Sequence, residues 1–186
     1  MKSISKNVNF LILILIISVI TSKLTKKKLT STIKNKQACF QHEIGAQSGQ
    51  YRSWRQDWTV SSSGVRTLSF DARANNDIHV AFSDQNGTND PMYEIVIGGW
   101  NNGRSTIRRR SQGSEICAVN RGFANPGQRS TFTVTLNEDQ KRITVNQGQD
   151  TILDCTDYSF IQNLRFFDFS SWNTPITYWI NCSPLS

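Results

Sequence analysis

Histidine occurs twice in the 186 residues, methionine twice, proline four times and cysteine four times, and no two cysteines stand in a C-x-x-C spacing. So little histidine gives nucleophilic triads and imidazole metal sites almost nothing to work with. The cysteine spacing excludes zinc-ribbon and thioredoxin-like motifs. The longest apolar stretch, Phe10 to Ile20, is broken only by Ser18. It falls well short of the roughly 20 residues that span a bilayer as a helix. No acidic residue occurs before position 38. No segment carries a sustained helical stripe, and no internal repeat marks a solenoid or propeller.

The formal charge is +7, which spread over a fold would point to nucleic acid or an anionic membrane. It is not spread. Residues 1–37 hold eight lysines, whereas residues 38–186 hold thirteen basic and fourteen acidic side chains and are nearly neutral. Lys2 and Lys6 before the apolar run, then the small pair Thr21-Ser22, read as a secretory signal peptide over residues 1–22. The alternative is an uncleaved signal-anchor, the one case in which a membrane becomes a partner. Residues 23–37 read as a flexible basic arm, either a solvated spacer, a pro-segment removable at Lys26-Lys27-Lys28, or a contact for anionic surfaces. Residues 38–183 form one domain and 184–186 a tail.

Alternation dominates that domain. Leu68, Phe70, Ala72 and Ala74 alternate with Ser69, Asp71 and Arg73, and Ile78, Val80 and Phe82 with His79, Ala81 and Ser83. The same holds for Tyr93, Ile95 and Ile97, for Phe132, Val134 and Leu136, and for Ile143 and Val145. These are half-buried strands between turns rich in Gly, Asn, Asp and Ser. The expected fold is all-β, an antiparallel two-sheet sandwich of jelly-roll or lectin-like type. Four cysteines after a secretory signal predict two disulfides. Because first and last strands of a sandwich are commonly neighbours, Cys39–Cys182 with Cys117–Cys155 is the favoured pairing of the three available.

One passage is more specific. The strand Asn76 to Phe82, then Tyr93-Glu94-Ile95-Val96-Ile97-Gly98-Gly99-Trp100, then Asn102, Arg104, Ser105, Ile107 and Arg108, resembles the domain family named for farnesoic acid O-methyltransferase. Phe166 to Trp172, with Thr177 and Trp179, matches the family's closing strands, so the resemblance covers most of residues 45–182. It implies a two-sheet, jelly-roll-like module. The methyl transfer in the family's name would need an S-adenosylmethionine site of the doubly wound type, in which a Gly-rich turn joins a buried parallel strand to a helix. Here Gly98-Gly99-Trp100 enters Asn101-Asn102-Gly103, a turn. No cofactor is therefore expected and catalysis is not, with farnesoic acid methyl transfer kept as the family-named alternative.

Aromatic faces beside amides suit sugars, because an indole covers the apolar side of a pyranose while amides bond its hydroxyls. Trp54, Trp58 and Trp179 lie on strand-like segments and read as core. Trp100, Asn101, Asn102 and Arg104 in one loop, and Trp172 and Asn173 in another, are the candidate ligand-binding residues. Catalytic residues are not identified: His79 reads as surface or inter-sheet, and Asp71, Asp77, Glu94 and Asp168 as strand-surface charges or turn acceptors. Arg108-Arg109-Arg110 reads as a solvated strand end. Asp84, Asn89 and Asp90 form a weak Ca²⁺ candidate that is not an EF-hand, so no metal is assigned. Asn86 and Asn181 are N-glycosylation sequons, Asn181 the poorer through its cysteine and a partly buried strand. Together these features point to a secreted recognition module whose partner is an extracellular glycan or glycoprotein, not nucleic acid. The alternative is an extracellular structural or protein-interaction module.

Overall fold

The computed structural model describes residues 39–87 and 91–182. The expected signal, basic arm and tail, and the Ca²⁺ candidates Asn89 and Asp90, lie outside these residues. Within the described residues twelve strands follow one another: β1 (Phe40–Ile44), β2 (Thr59–Val60), β3 (Arg66–Arg73), β4 (Ile78–Ser83), β5 (Met92–Gly98) and β6 (Arg104–Arg109) come first. Then come β7 (Glu115–Val119), β8 (Ser130–Asn137), β9 (Arg142–Gln147), β10 (Asp150–Thr156), β11 (Phe166–Ser170) and β12 (Ile176–Ile180). They form two antiparallel sheets. One runs β1-β12-β3-β8-β9-β10, with β2 beside β3; the other runs β11-β4-β5-β6-β7.

The alternation read from the sequence sets the core between the sheets. Leu68, Phe70, Ala72, Phe132, Val134, Ile143 and Val145 from the first sheet meet Ile78, Val80, Phe82, Ile95, Ile97 and Ile107 from the second. Phe70 sits at the centre of an aromatic group, 4.9 Å from Phe169 and 5.7 Å from Phe132 between ring centroids. Cys39 is joined to Cys182 where β1 pairs with β12, and Cys117 to Cys155 across β7 and β10. Loops of these lengths contribute on the order of 4 kcal/mol each in the chain-entropy picture.

The outer face of the second sheet departs from the expected half-buried pattern. Every residue of β4 and β5 is buried, including His79, Ala81, Glu94 and Val96. The cover comes from residues 45–57, a segment without periodicity, which lays Tyr51 and Trp54 over Ala81 and Met92. Backbone bonds from Ser48 and Gly49 to Trp172 and Ser171, and from Arg55 to Phe167, hold it down. Trp54 therefore belongs to this irregular crossing, and Trp58 to the bend just before β2, where its ring lies 5.3 Å from Phe82; neither is on a strand, although both pack against apolar neighbours as expected of them. Trp179 is half-buried on the first sheet, with the guanidinium of Arg129 4.7 Å from its ring.

The carboxylates differ from their sequence reading. Asp71, Asp77, Glu94 and Asp168 are all buried. Asp71 pairs with Arg129, and Asp168 accepts the backbone N–H groups of Ser53 at 2.6 Å and Phe169 at 2.7 Å. The Arg108–Arg110 run is not a solvated strand end either: Arg108 is buried and Arg109 pairs with Asp157. Asn86 is exposed at a bend, and Asn181 is exposed just beyond β12 and not partly buried.

Candidate functional site

The connection from β5 to β6 is a short helical turn, Gly99–Asn102, of unusual hand. Trp100 (φ 51°, ψ 57°) and Asn101 (φ 56°, ψ 44°) are left-handed, and Asn102 has φ 61°. For L-residues this costs roughly 1–2 kcal/mol each, least for asparagine, so surrounding contacts must impose it. Gly103 N–H closes the turn on the Gly99 carbonyl at 3.0 Å. The Asn102 amide then imitates a strand partner: its Oδ1 accepts from Ala124 N and its Nδ2 donates to Ala124 O, both at 3.0 Å. A Cβ on Gly98 (φ 69°) would stand 2.5 Å from Asn102 Oδ1, and one on Gly122 would stand 1.8 Å from the Asn102 carbonyl oxygen. The Gly-Gly-Trp-Asn-Asn sequence is thus a locked lip that presents Trp100 outward, 53 % exposed.

The second lip is the turn between β11 and β12. Trp172 is 40 % exposed and lies against Gly49. Thr174 Oγ1 donates to Asn76 Oδ1 at 2.6 Å, which ties this turn to the one preceding β4. Between the lips opens a cleft of about 330 Å³, lined by Asp77, His79, Val96, Trp100, Asn101, Arg108, Gln112, Trp172 and Asn173.

Its floor is the outer face of β4, β5 and β6, where register places Ala81 beside Glu94 and Glu94 beside Arg108, with His79 beside Val96. Glu94 is fully buried and its carboxylate is saturated. It accepts from Tyr51 Oη at 2.8 Å, Gln112 N at 2.9 Å and Arg108 Nη1 at 3.3 Å. Burial alone would raise the Glu94 pKa, but His79 and these donors outweigh it and hold the carboxyl below its usual range. His79 is also buried, and among the described residues neither ring nitrogen has a hydrogen bond. Nδ1 lies 3.5 Å from Glu94 Oε1 and Nε2 3.8 Å from Asp77 Oδ1. Burial would lower its pKa; the two carboxylates prevail and raise it above the ordinary 6.5.

A folded-state pKa above the unfolded value gives stability that is present below pH 6.5 and lost as pH rises through the folded value. The urea midpoint is therefore expected to fall as pH rises above 6.5 and to lose that slope in His79→Asn. An unchanged slope in the variant would assign it to another group.

Four of the six residues singled out from sequence, Trp100, Asn101, Trp172 and Asn173, meet in this cleft. Asn102 does not line it, because its amide is taken by Ala124. Arg104 turns away to Glu115 and Asn120, although its guanidinium remains 5.9 Å from the Trp100 ring. Sequence reasoning missed Asp77, His79, Val96, Arg108 and Gln112. His79, read as surface or inter-sheet, is instead a buried wall of the cleft. Arg108 places its guanidinium 4.9 Å from the Trp100 ring centroid and donates to Gln112 Oε1 at 2.9 Å. Among the described residues no group of three or more His, Cys, Asp or Glu is arranged to hold a metal ion, and no helix is long and apolar enough to cross a membrane.

The family profile described as farnesoic acid O-methyl transferase matches residues 48–184. No curated protein matches. Among solved structures, carbohydrate binding module CBM66 from Bacillus subtilis is 10% identical with a TM-score of 0.47, over 69% of this chain and 92% of that one. The Ruminococcus gnavus IT-sialidase CBM40 bound to α2,3 sialyllactose is 12% identical with a TM-score of 0.42, over 79% and 93%. Sheep galectin-11, in complex with glycerol, is 10% identical with a TM-score of 0.44, over 69% and 97%.

Proposed function

The chain belongs to the farnesoic acid O-methyl transferase domain family, and from that premise and the cleft we propose that it is a secreted, non-catalytic module that binds carbohydrate. The observation that carries the reading is two exposed indoles, Trp100 and Trp172, on opposing lips of one cleft with a polar floor. Flat apolar ring faces cover the C–H side of a pyranose, while Asn101, Asn173 and Gln112 supply side-chain amides to its hydroxyls. The lips are held by backbone geometry and hydrogen bonds, so little ordering is required on binding. Two disulfides and the N-terminal signal read from the sequence support an extracellular location.

The methyl transfer in the family's name is not part of this proposal. Gly98 ends β5 and Gly99 follows it, but the chain then enters a left-handed turn instead of a helix N-terminus that would receive a nucleotide cofactor.

A glycan array tests the reading. The protein is expected to retain a subset of glycans, and Trp172→Ala to lose them by about tenfold or more in affinity while staying folded, with a stability loss of about 1–3 kcal/mol by urea denaturation for the part of the indole that packs against Gly49. An array silent for the folded protein would refute carbohydrate binding and leave the extracellular protein-interaction reading in its place.

A further inference from the structure

Five carboxylates are buried among the described residues: Asp71, Asp77, Glu94, Asp157 and Asp168. Four are satisfied from within the protein. Glu94 accepts from Tyr51, Gln112 and Arg108, Asp168 from two backbone N–H groups, Asp71 from Arg129, and Asp157 from Tyr93, Ser159 and Arg109. The exception is Asp77. Its side chain is 10 % exposed, it lines the cleft, and among the described residues no donor hydrogen-bonds it; its ionic neighbour there is His79 Nε2 at 3.8 Å. The long His79 contact leaves its oxygens open to the cleft, where a group that enters can donate to them.

The backbone holds Asp77 in place. Its φ of 54° is a left-handed value that asparagine and aspartate tolerate better than other side chains, and its N–H donates to the Gly98 carbonyl at 2.9 Å. The unsatisfied acceptor is therefore anchored to the same Gly98 that begins the Trp100 lip.

We infer that the cleft selects neutral sugars, with the Asp77 carboxylate accepting a pair of neighbouring sugar hydroxyls; this rests on the carbohydrate reading above. Charge decides against an acidic ligand. The site holds two carboxylates, Asp77 and Glu94, against Arg108 and His79, and Arg108 is already bonded to Glu94 and Gln112. A sugar carboxylate or sulfate would meet Asp77 with no surplus cation to offset the repulsion. Hydroxyls, by contrast, are donors that an ionised carboxylate binds strongly, and its two oxygens match the spacing of a diol.

The test is competition calorimetry on the full chain. Probes are the methyl glycosides of galactose, glucose and mannose, their singly deoxygenated analogues, N-acetylneuraminic acid, glucuronic acid and glucosamine, each with and without EDTA. At least one neutral glycoside is expected to bind, both acids to bind more than tenfold more weakly, and EDTA to change nothing. Asp77→Asn keeps size and backbone tolerance, and is expected to weaken the neutral glycoside by about tenfold or more. The deoxy analogue that lacks a contacting hydroxyl should bind the wild type weakly and lose little further in Asp77→Asn, a coupling that a merely structural role would not produce. The ranking of neutral over acidic probes on the wild type needs no variant, so it stands even if Asp77→Asn fails to fold. Tighter binding of either acid or of the glucosamine ammonium, abolition by EDTA, or an unweakened Asp77→Asn would overturn the inference while leaving carbohydrate binding intact. Silence of every probe and of the glycan array would remove the carbohydrate reading itself.

Discussion

Glu94→Ala is expected to destabilise the protein by about 3–5 kcal/mol, the range for breaking a buried ion pair by removing one partner. Glu94 has no exposed surface, and its loss strands the Arg108 guanidinium, the Tyr51 hydroxyl and the Gln112 N–H together. It also removes one of the two carboxylates that favour the protonated form of His79. The core between the sheets is untouched, since Glu94 faces away from Ile95 and Tyr93. Urea denaturation measures the change. A double substitution, Glu94→Met with Arg108→Met, should recover a large part of it, because neither charge is then left unpaired. A loss under about 1 kcal/mol in Glu94→Ala would mean that water satisfies this floor and that it is not a rigid base for the cleft.

The second large effect concerns a residue that touches no ligand. Gly122→Ala would place a methyl group 1.8 Å from the Asn102 carbonyl oxygen, a separation no packing tolerates. The segment Arg121 to Ala124 must move away, breaking the paired Asn102–Ala124 bonds and the Ser105 Oγ–H to Arg121 carbonyl bond at 2.9 Å. The left-handed lip then lacks the contacts that impose it. We expect a stability loss of about 2–3 kcal/mol. Affinity on the glycan array should fall by more than about tenfold, because Trp100 no longer has a fixed position. Thermal or urea unfolding and the array read the two effects separately. Full binding by a folded Gly122→Ala would show that the lip's conformation is incidental to recognition.

Much of the sandwich was legible in the sequence because β3, β4, β5, β8 and β9 each bury one apolar face against the opposite sheet, and a period of two is the direct imprint of that burial. The covering of the second sheet's outer face was not legible. Residues 45–57 cross it as irregular chain, and an irregular cover leaves no period. Both lips were visible as indole-amide turns. The floor was missed because His79, Glu94 and Arg108 come together only through the β4–β5–β6 register, which strand patterns do not reveal individually. A signal existed nonetheless: each is a charged or titratable residue on the polar parity of a strong strand, so on adjacent strands all three share one face of the sheet. Arg104 was misplaced for a related reason, since its Glu115 partner lies on a strand too short and irregular to read.

The most direct measurement is a ¹⁵N-resolved spectrum of the tryptophan indole N–H groups during titration with the tightest-binding neutral methyl glycoside. The protein has five tryptophans, of which only Trp100 and Trp172 line the cleft. The account predicts that the indole signals of these two shift saturably while those of Trp54, Trp58 and Trp179 stay in place. Saturable shifts at Trp179 with Trp100 and Trp172 unmoved would put recognition on the other sheet and contradict it.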